Sequence, residues 1–123
     1  MKILSVDLGV TTGIFLIDLN NQKEWFSASL LVADLDRICE EFIFDVALLE
    51  KFPKTSDLPH RVVLAYAELQ KYGAELILPA VWKPFARTRH WRLQGLHSDH
   101  EKDAYRMFRY WAEIKGYEIT IGE

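Results

Sequence analysis

The stretch Ile3-Leu4-Ser5-Val6-Asp7-Leu8-Gly9-Val10-Thr11-Thr12-Gly13-Ile14-Phe15-Leu16-Ile17 decides the fold. Ile3 to Leu8 is short, apolar and rich in branched residues, the composition of a buried strand. Gly9 to Gly13 has turn chemistry at both ends, and Ile14 to Leu19 repeats the strand pattern. One residue breaks the apolar run: Asp7. Side chains alternate along a strand, so Ile3, Ser5 and Asp7 share one face while Leu4, Val6 and Leu8 share the other. A carboxylate in that setting is costly unless it is paired, hydrogen-bonded or bound to a metal.

Outward from this hairpin, Asn20-Asn21 tolerates positive φ and suits a tight turn, and Lys23 to Leu31 alternates loosely as a third strand. Asp34 is placed to cap a helix carrying Leu35, Ile38, Cys39 and Phe42 at helical spacing. Asp45 to Glu50 is a fourth strand, apolar until its terminal carboxylate. Pro53 keeps the segment from Lys51 to Asp57 a loop. A second helix runs from about Pro59 to Tyr72, with Val62, Val63, Tyr66, Leu69 and Tyr72 as its inward stripe and Gly73 at its C-terminus. Glu75 to Pro79 is a fifth strand, and Trp82 to Ser98 reads as irregular. A third helix spans Asp99 to Gly116, with Ala104, Met107, Phe108, Trp111 and Ile114 on its apolar face, and Tyr117 to Ile121 adds a short terminal strand.

The order βββαβαβα implies an α/β domain: one mixed five-stranded sheet, three strands antiparallel and then two parallel through right-handed crossovers, with helices on both faces. At 123 residues the chain is a single domain over 1–123. Half its residues are apolar, enough for a core, and no run approaches the roughly 20 apolar residues of a membrane span. The charged N-terminal run has no cleavage-site pattern, so no signal peptide is expected, and a lone Cys39 fits a reducing cytoplasm. The net charge of −3 argues mildly against nucleic acid, but its distribution does not. From Pro79 to Ser98 there is no acid, and Lys83, Arg87, Arg89 and Arg92 give that segment +4, leaving −7 elsewhere. Such a segment is either a solvated loop or a phosphate-binding edge beside a cation pocket.

Glu50 ends its strand as Asp7 nearly ends the first. If the two strands are neighbours, both carboxylates enter one site, where they repel unless a hard cation intervenes. The third helix opens with Asp99-His100-Glu101-Lys102-Asp103-Ala104. His100 and Asp103 are i, i+3 and share a face; Asp99 and Asp103 are i, i+4 and can do the same. The plainer reading makes Asp99 an N-cap, with Glu101 and Asp103 as first-turn acids favoured by the helix dipole. Spacing leaves both open.

The run Val6-Asp7-Leu8-Gly9-Val10-Thr11-Thr12-Gly13 resembles the first strand and turn of RNase H-like nucleases, and most of all the RuvC-type Holliday junction resolvases. Their pattern continues with Glu at the end of strand four and an acid or His three residues before Asp-Ala on a late helix. Glu50, His100 and Asp103-Ala104 stand at those places. The resemblance covers most of the chain and implies an RNase H-like fold and hydrolysis of DNA phosphodiesters at four-way junctions in recombination and repair; the chain is shorter than a typical cellular member, and a compact phage-encoded or otherwise divergent one fits its length. It implies two Mg²⁺ ions, for which Mn²⁺ can substitute. Asp7 would bridge them, with Glu50 on one, Asp103 on the other, and His100 as a ligand or water-positioning group. Asp99 is the reserve for the fourth place. Branched DNA is the implied partner, and two symmetric cuts imply a C2 homodimer, with the second helix (Tyr66, Leu69, Tyr72) as candidate interface.

Lys83, Arg87, Arg89 and Arg92 are candidates for backbone phosphates, joined by Lys51, Phe52 and Lys54 after Glu50, with Phe52 as a wedge into a distorted step. Trp82, Phe85 and Trp91 either stack on unpaired bases or pack on the core. Two rivals keep the same fold: an RNA-processing or general structure-specific nuclease, and a binding module without catalysis. All four acidic-site positions are filled, which opposes the second. An actin-like ATPase would need a longer chain and a second phosphate loop.

Overall fold

The computed structural model describes residues 1–54 and 57–121; residues 55 and 56, in the loop after the fourth strand, and 122–123 lie outside it. Five strands form one sheet: β1 (Lys2–Asp7), β2 (Thr11–Asp18), β3 (Asn21–Leu31), β4 (Val46–Glu50) and β5 (Glu75–Ile77). Their spatial order is β3-β2-β1-β4-β5. β1 pairs antiparallel with β2 and parallel with β4, and β5 extends the parallel side. This is the mixed sheet of an RNase H-like α/β fold.

The central position of β1 follows from its composition. Ile3, Leu4, Ser5 and Val6 are all fully buried, so the strand must be covered on both faces. Ile3 packs with Phe15, Ile17 and Leu48 beneath α3 (Pro79–Arg87) and α4 (Asp99–Lys115). Leu4 and Val6 join Ile14, Leu16 and Leu49 beneath α1 (Leu35–Glu41) and α2 (His60–Lys71). Phe15 anchors the first layer, with ring centroids 4.9 Å from Tyr105 and 5.4 Å from Phe108. Each such side chain contributes roughly 1.5–3 kcal/mol on burial.

α4 lies against β1 and β2 at unusually short range, and two small residues permit it. The buried Ser5 hydroxyl donates to the Ala104 carbonyl at 2.7 Å. Gly13 lies in β2, and a Cβ there would sit 2.2 Å from the His100 carbonyl carbon and oxygen. Gly13 is therefore not a turn residue but the point where strand and helix backbones touch.

Several sequence expectations are corrected. Trp82 to Ser98 is not wholly irregular, because α3 occupies its first part. Pro79 starts that helix at N1, where a missing N–H costs nothing, and it is for this reason not part of β5. Pro84 is tolerated inside α3, a helix only nine residues long. Among the described residues Tyr117 to Ile121 forms no strand. Gln22 holds it instead, donating to the Glu118 carbonyl and accepting from the Thr120 amide, while Ile119 is buried. Ile114 is exposed; the inward face of α4 uses Tyr105 and Ala112. The β2–β3 turn is Leu19-Asn20 rather than Asn20-Asn21 and needs no positive φ, since Asp18 Oδ1 accepts the Asn20 amide at 2.9 Å. Asp34 makes no side-chain cap; α1 emerges instead from a 3-10 turn at Val32–Asp34. In α2, Tyr66 and Leu69 are core, whereas Tyr72 and Leu64 are exposed.

Candidate active site

The parallel register sets the site. Val6 pairs with Leu49, so the next residues, Asp7 and Glu50, end neighbouring strands on the same edge. The first turn of α4 is brought to that edge by the Gly13 contact. His100 Nδ1 lies 3.0 Å from Asp7 Oδ2. Asp7 is about a quarter exposed, at 24%. Burial pushes its carboxyl up, and the charges of Asp103 and Glu50 push the same way, against the hydrogen bond from His100. Asp103 and Glu50 are thus close enough for their charges to act on Asp7, which His100 touches directly.

Each acid has its own partner. Trp82 is buried, and its indole Nε1 donates to Glu50 Oε2 at 2.8 Å, while Lys83 Nζ stands 3.8 Å from Oε1. Arg106 donates to Asp103 at 2.9 Å. Asp99, the reserve candidate, is exposed at the first position of α4 and is not the cap. Ser98 is the cap, accepting the Glu101 amide at 3.1 Å. Among the described residues no three His, Cys, Asp or Glu side chains enclose a single ion as they stand. In kind, the set suits a hard divalent cation: three carboxylates, two of them acting by charge on the third, and an imidazole. Glu50 and Asp103 would reach an ion by turning from Lys83 and Arg106.

Beside the acids runs an open groove of about 480 Å³ between α3, the loop after it and α4. Lys83, Arg87, Arg89 and Arg106 line it, and Asp103 joins it to the acidic edge. Arg89 is committed in part, to Glu113 at 3.0 Å and over the Phe85 ring at 4.2 Å. Arg92 lies apart, beside Trp25 and Tyr105. Lys51 and Lys54 are exposed, whereas Phe52 packs on Tyr66 with ring centroids 5.0 Å apart. Of the two readings of Trp82, packing on the core holds, since it is 3% exposed, and Phe85 is packed against Tyr110. Sequence reading missed Arg106, although its i, i+3 spacing from Asp103 was a usable signal. It also missed Ser5 and the depth of Glu101, for which only contact across the sheet gives a sign.

No family model matches the sequence, and no curated protein matches it. Solved structures do. Thermus thermophilus RuvC in complex with Holliday junction substrate superposes with a TM-score of 0.63 at 12% identity, over 95% of this chain and 97% of that one. Thermus thermophilus RuvC alone gives the same score and identity, over 95% and 98%. The fowlpox virus Holliday junction resolvase gives 0.50 at 13% identity, over 94% and 99%. At such identities the likeness is one of fold, shared over nearly the whole length of each chain.

Proposed function

We propose that the chain is a metal-dependent endonuclease that hydrolyses DNA phosphodiesters at four-way junctions, as an Mg²⁺-dependent crossover junction resolvase acting in DNA recombination and repair. The observation that carries this reading is the meeting of Asp7, Glu50, His100 and Asp103 on one sheet edge at the mouth of a basic groove. The solved structures of the same fold are junction resolvases, which supports the choice of substrate.

Asp7, Glu50 and Asp103 would hold two Mg²⁺ ions, or Mn²⁺, with His100 completing the set. When bound, such ions neutralise charge developing at the phosphate and activate water. The chain's own groups do the rest. His100 fixes the Asp7 carboxylate through its Nδ1 contact. Lys83, Arg87 and Arg106 take up backbone phosphates along the groove, giving sequence-independent, salt-sensitive binding. Two symmetric cuts need two sites, so the working unit is a C2 homodimer; Leu64 on α2 and Tyr72 just after it, both exposed, are its candidate contacts. A cytoplasmic location suits the single Cys39.

The test sets a synthetic four-way junction, a flap and a structured RNA side by side, with Mg²⁺ or Mn²⁺. The natural chain cleaves the junction best, and Asp7→Asn loses about 10²–10³-fold, the scale of removing one preorganised electrostatic group. Preference for RNA overturns the substrate, and undiminished cleavage by Asp7→Asn overturns the site.

A further inference from the structure

We infer that Glu101 is a positioning residue: its buried carboxylate clamps the first turn of α4 to β3, and this keeps His100, the adjacent residue, on Asp7. The inference rests on the reading of the Asp7 edge as a reaction site.

A first-turn acid is ordinarily a solvated one, favoured by the helix dipole. Glu101 is 4% exposed. Ser27 and Ser29 lie two apart on β3 and so share one face. Their hydroxyls donate to the two Glu101 oxygens at 2.8 and 3.1 Å. Ser98 receives the Glu101 amide and is also hydrogen-bonded to Ser29. Backbone and side chain of one residue thus end in one serine cluster.

The clamp matters because His100 has little else to hold it. Its side chain is 47% exposed, and first turns of helices fray. Gly13, paired with Ser29 across β2 and β3, lets the His100–Glu101 peptide come close to the sheet, and the serines hold it there.

The Ser27 hydroxyl has one proton and two acceptors, Glu101 at 2.8 Å and the Ile14 carbonyl at 3.0 Å. A glutamine fits this arrangement: its amide donates to Ser27, Ser27 donates to Ile14, and its oxygen accepts from Ser29. An alanine does not.

The experiment compares Glu101→Ala and Glu101→Gln by nitrogen-detected NMR of the histidine rings in metal-free protein, then by single-turnover junction cleavage. His60 and His90 are internal references. Glu101→Ala is expected to shift the His100 ring signals and lower the cleavage rate about 10–100-fold, the cost of roughly 1 Å of misplacement, with junction affinity unchanged. Glu101→Gln is expected to match the natural chain in both. Natural His100 signals in Glu101→Ala, whatever its melting temperature, overturn the inference. If Glu101→Ala does not fold, Ser29→Ala carries the same test, with a smaller shift expected and no shift overturning it. A natural chain that cleaves nothing, while the His100 signals still move in Glu101→Ala, refutes the nuclease reading and supports the clamp.

Discussion

Gly13→Ala puts one methyl group between two backbones. Its Cβ would lie 2.2 Å from the His100 carbonyl carbon and oxygen and 2.6 Å from the Glu101 nitrogen. Carbon contacts settle near 3.5 Å, so strand and helix must part by about 1.3 Å. No rotamer can relieve this, because the struck atoms are main chain. Overpacking of this kind costs about 1–3 kcal/mol, so the protein should fold with a lower urea midpoint. The same displacement moves His100 from Asp7 and Asp103 from the sheet edge, and about 1 Å at a reacting centre costs about 10²-fold in rate. Urea unfolding and single-turnover junction cleavage read the two effects separately. Gly73→Ala is the control. Gly73 has φ +80° with nothing within 4 Å, so alanine there strains the backbone by about 1–2 kcal/mol and leaves the rate alone. Natural stability and natural cleavage in Gly13→Ala would refute the claim that this contact sets the site.

Three further outcomes follow from the same geometry. Burial raises the Asp7 carboxyl above its unfolded value of 3.8, so the folded state retains that proton longer and the ionised group lowers stability as pH rises through its folded pKa. Asp7→Asn should therefore melt higher than the natural chain at neutral pH, with the gain vanishing below about pH 3.8; an equal gain at all pH values would refute this. Trp82→Phe removes the donor to Glu50 and should cost about 1–3 kcal/mol in urea unfolding, with a Glu50→Gln background reducing that loss. A chelator should abolish cleavage while leaving the circular-dichroism melt unchanged, because the core beneath α3 and α4 does not include the acids; a collapse of the melt would mark the ion as structural.

The sheet was legible because its signal is local. Alternation in β1 placed Ile3 and Ser5 opposite Leu4 and Val6, and burial on both faces agrees. Asp7 and Glu50 were legible as charges ending apolar strands. α3 was not, because Pro79 closes the apolar run of the fifth strand and the segment after it shows no helical periodicity, although at N1 proline starts a helix. Glu101 was hidden for another reason. Its meaning depends on Ser27 and Ser29, over seventy residues away, and nothing within one helical turn distinguishes it from Asp99. Trp82 shows the converse: stacking on bases and packing on the core are both open from its sequence, and one acceptor across the chain, Glu50, goes with the core reading.

That indole also makes the protein its own optical sensor. Trp111 donates to Glu75, outside the site, and Trp91 lines the groove, whereas Trp82 donates its indole N–H to the site acid Glu50. An ion that drew Glu50 away from the indole would change the polarity around that chromophore. α3 carries that chromophore next to Lys83 in the groove wall. A titration of emission against divalent ion would therefore report occupancy at one end of the helix and reorganisation of the groove wall at the other.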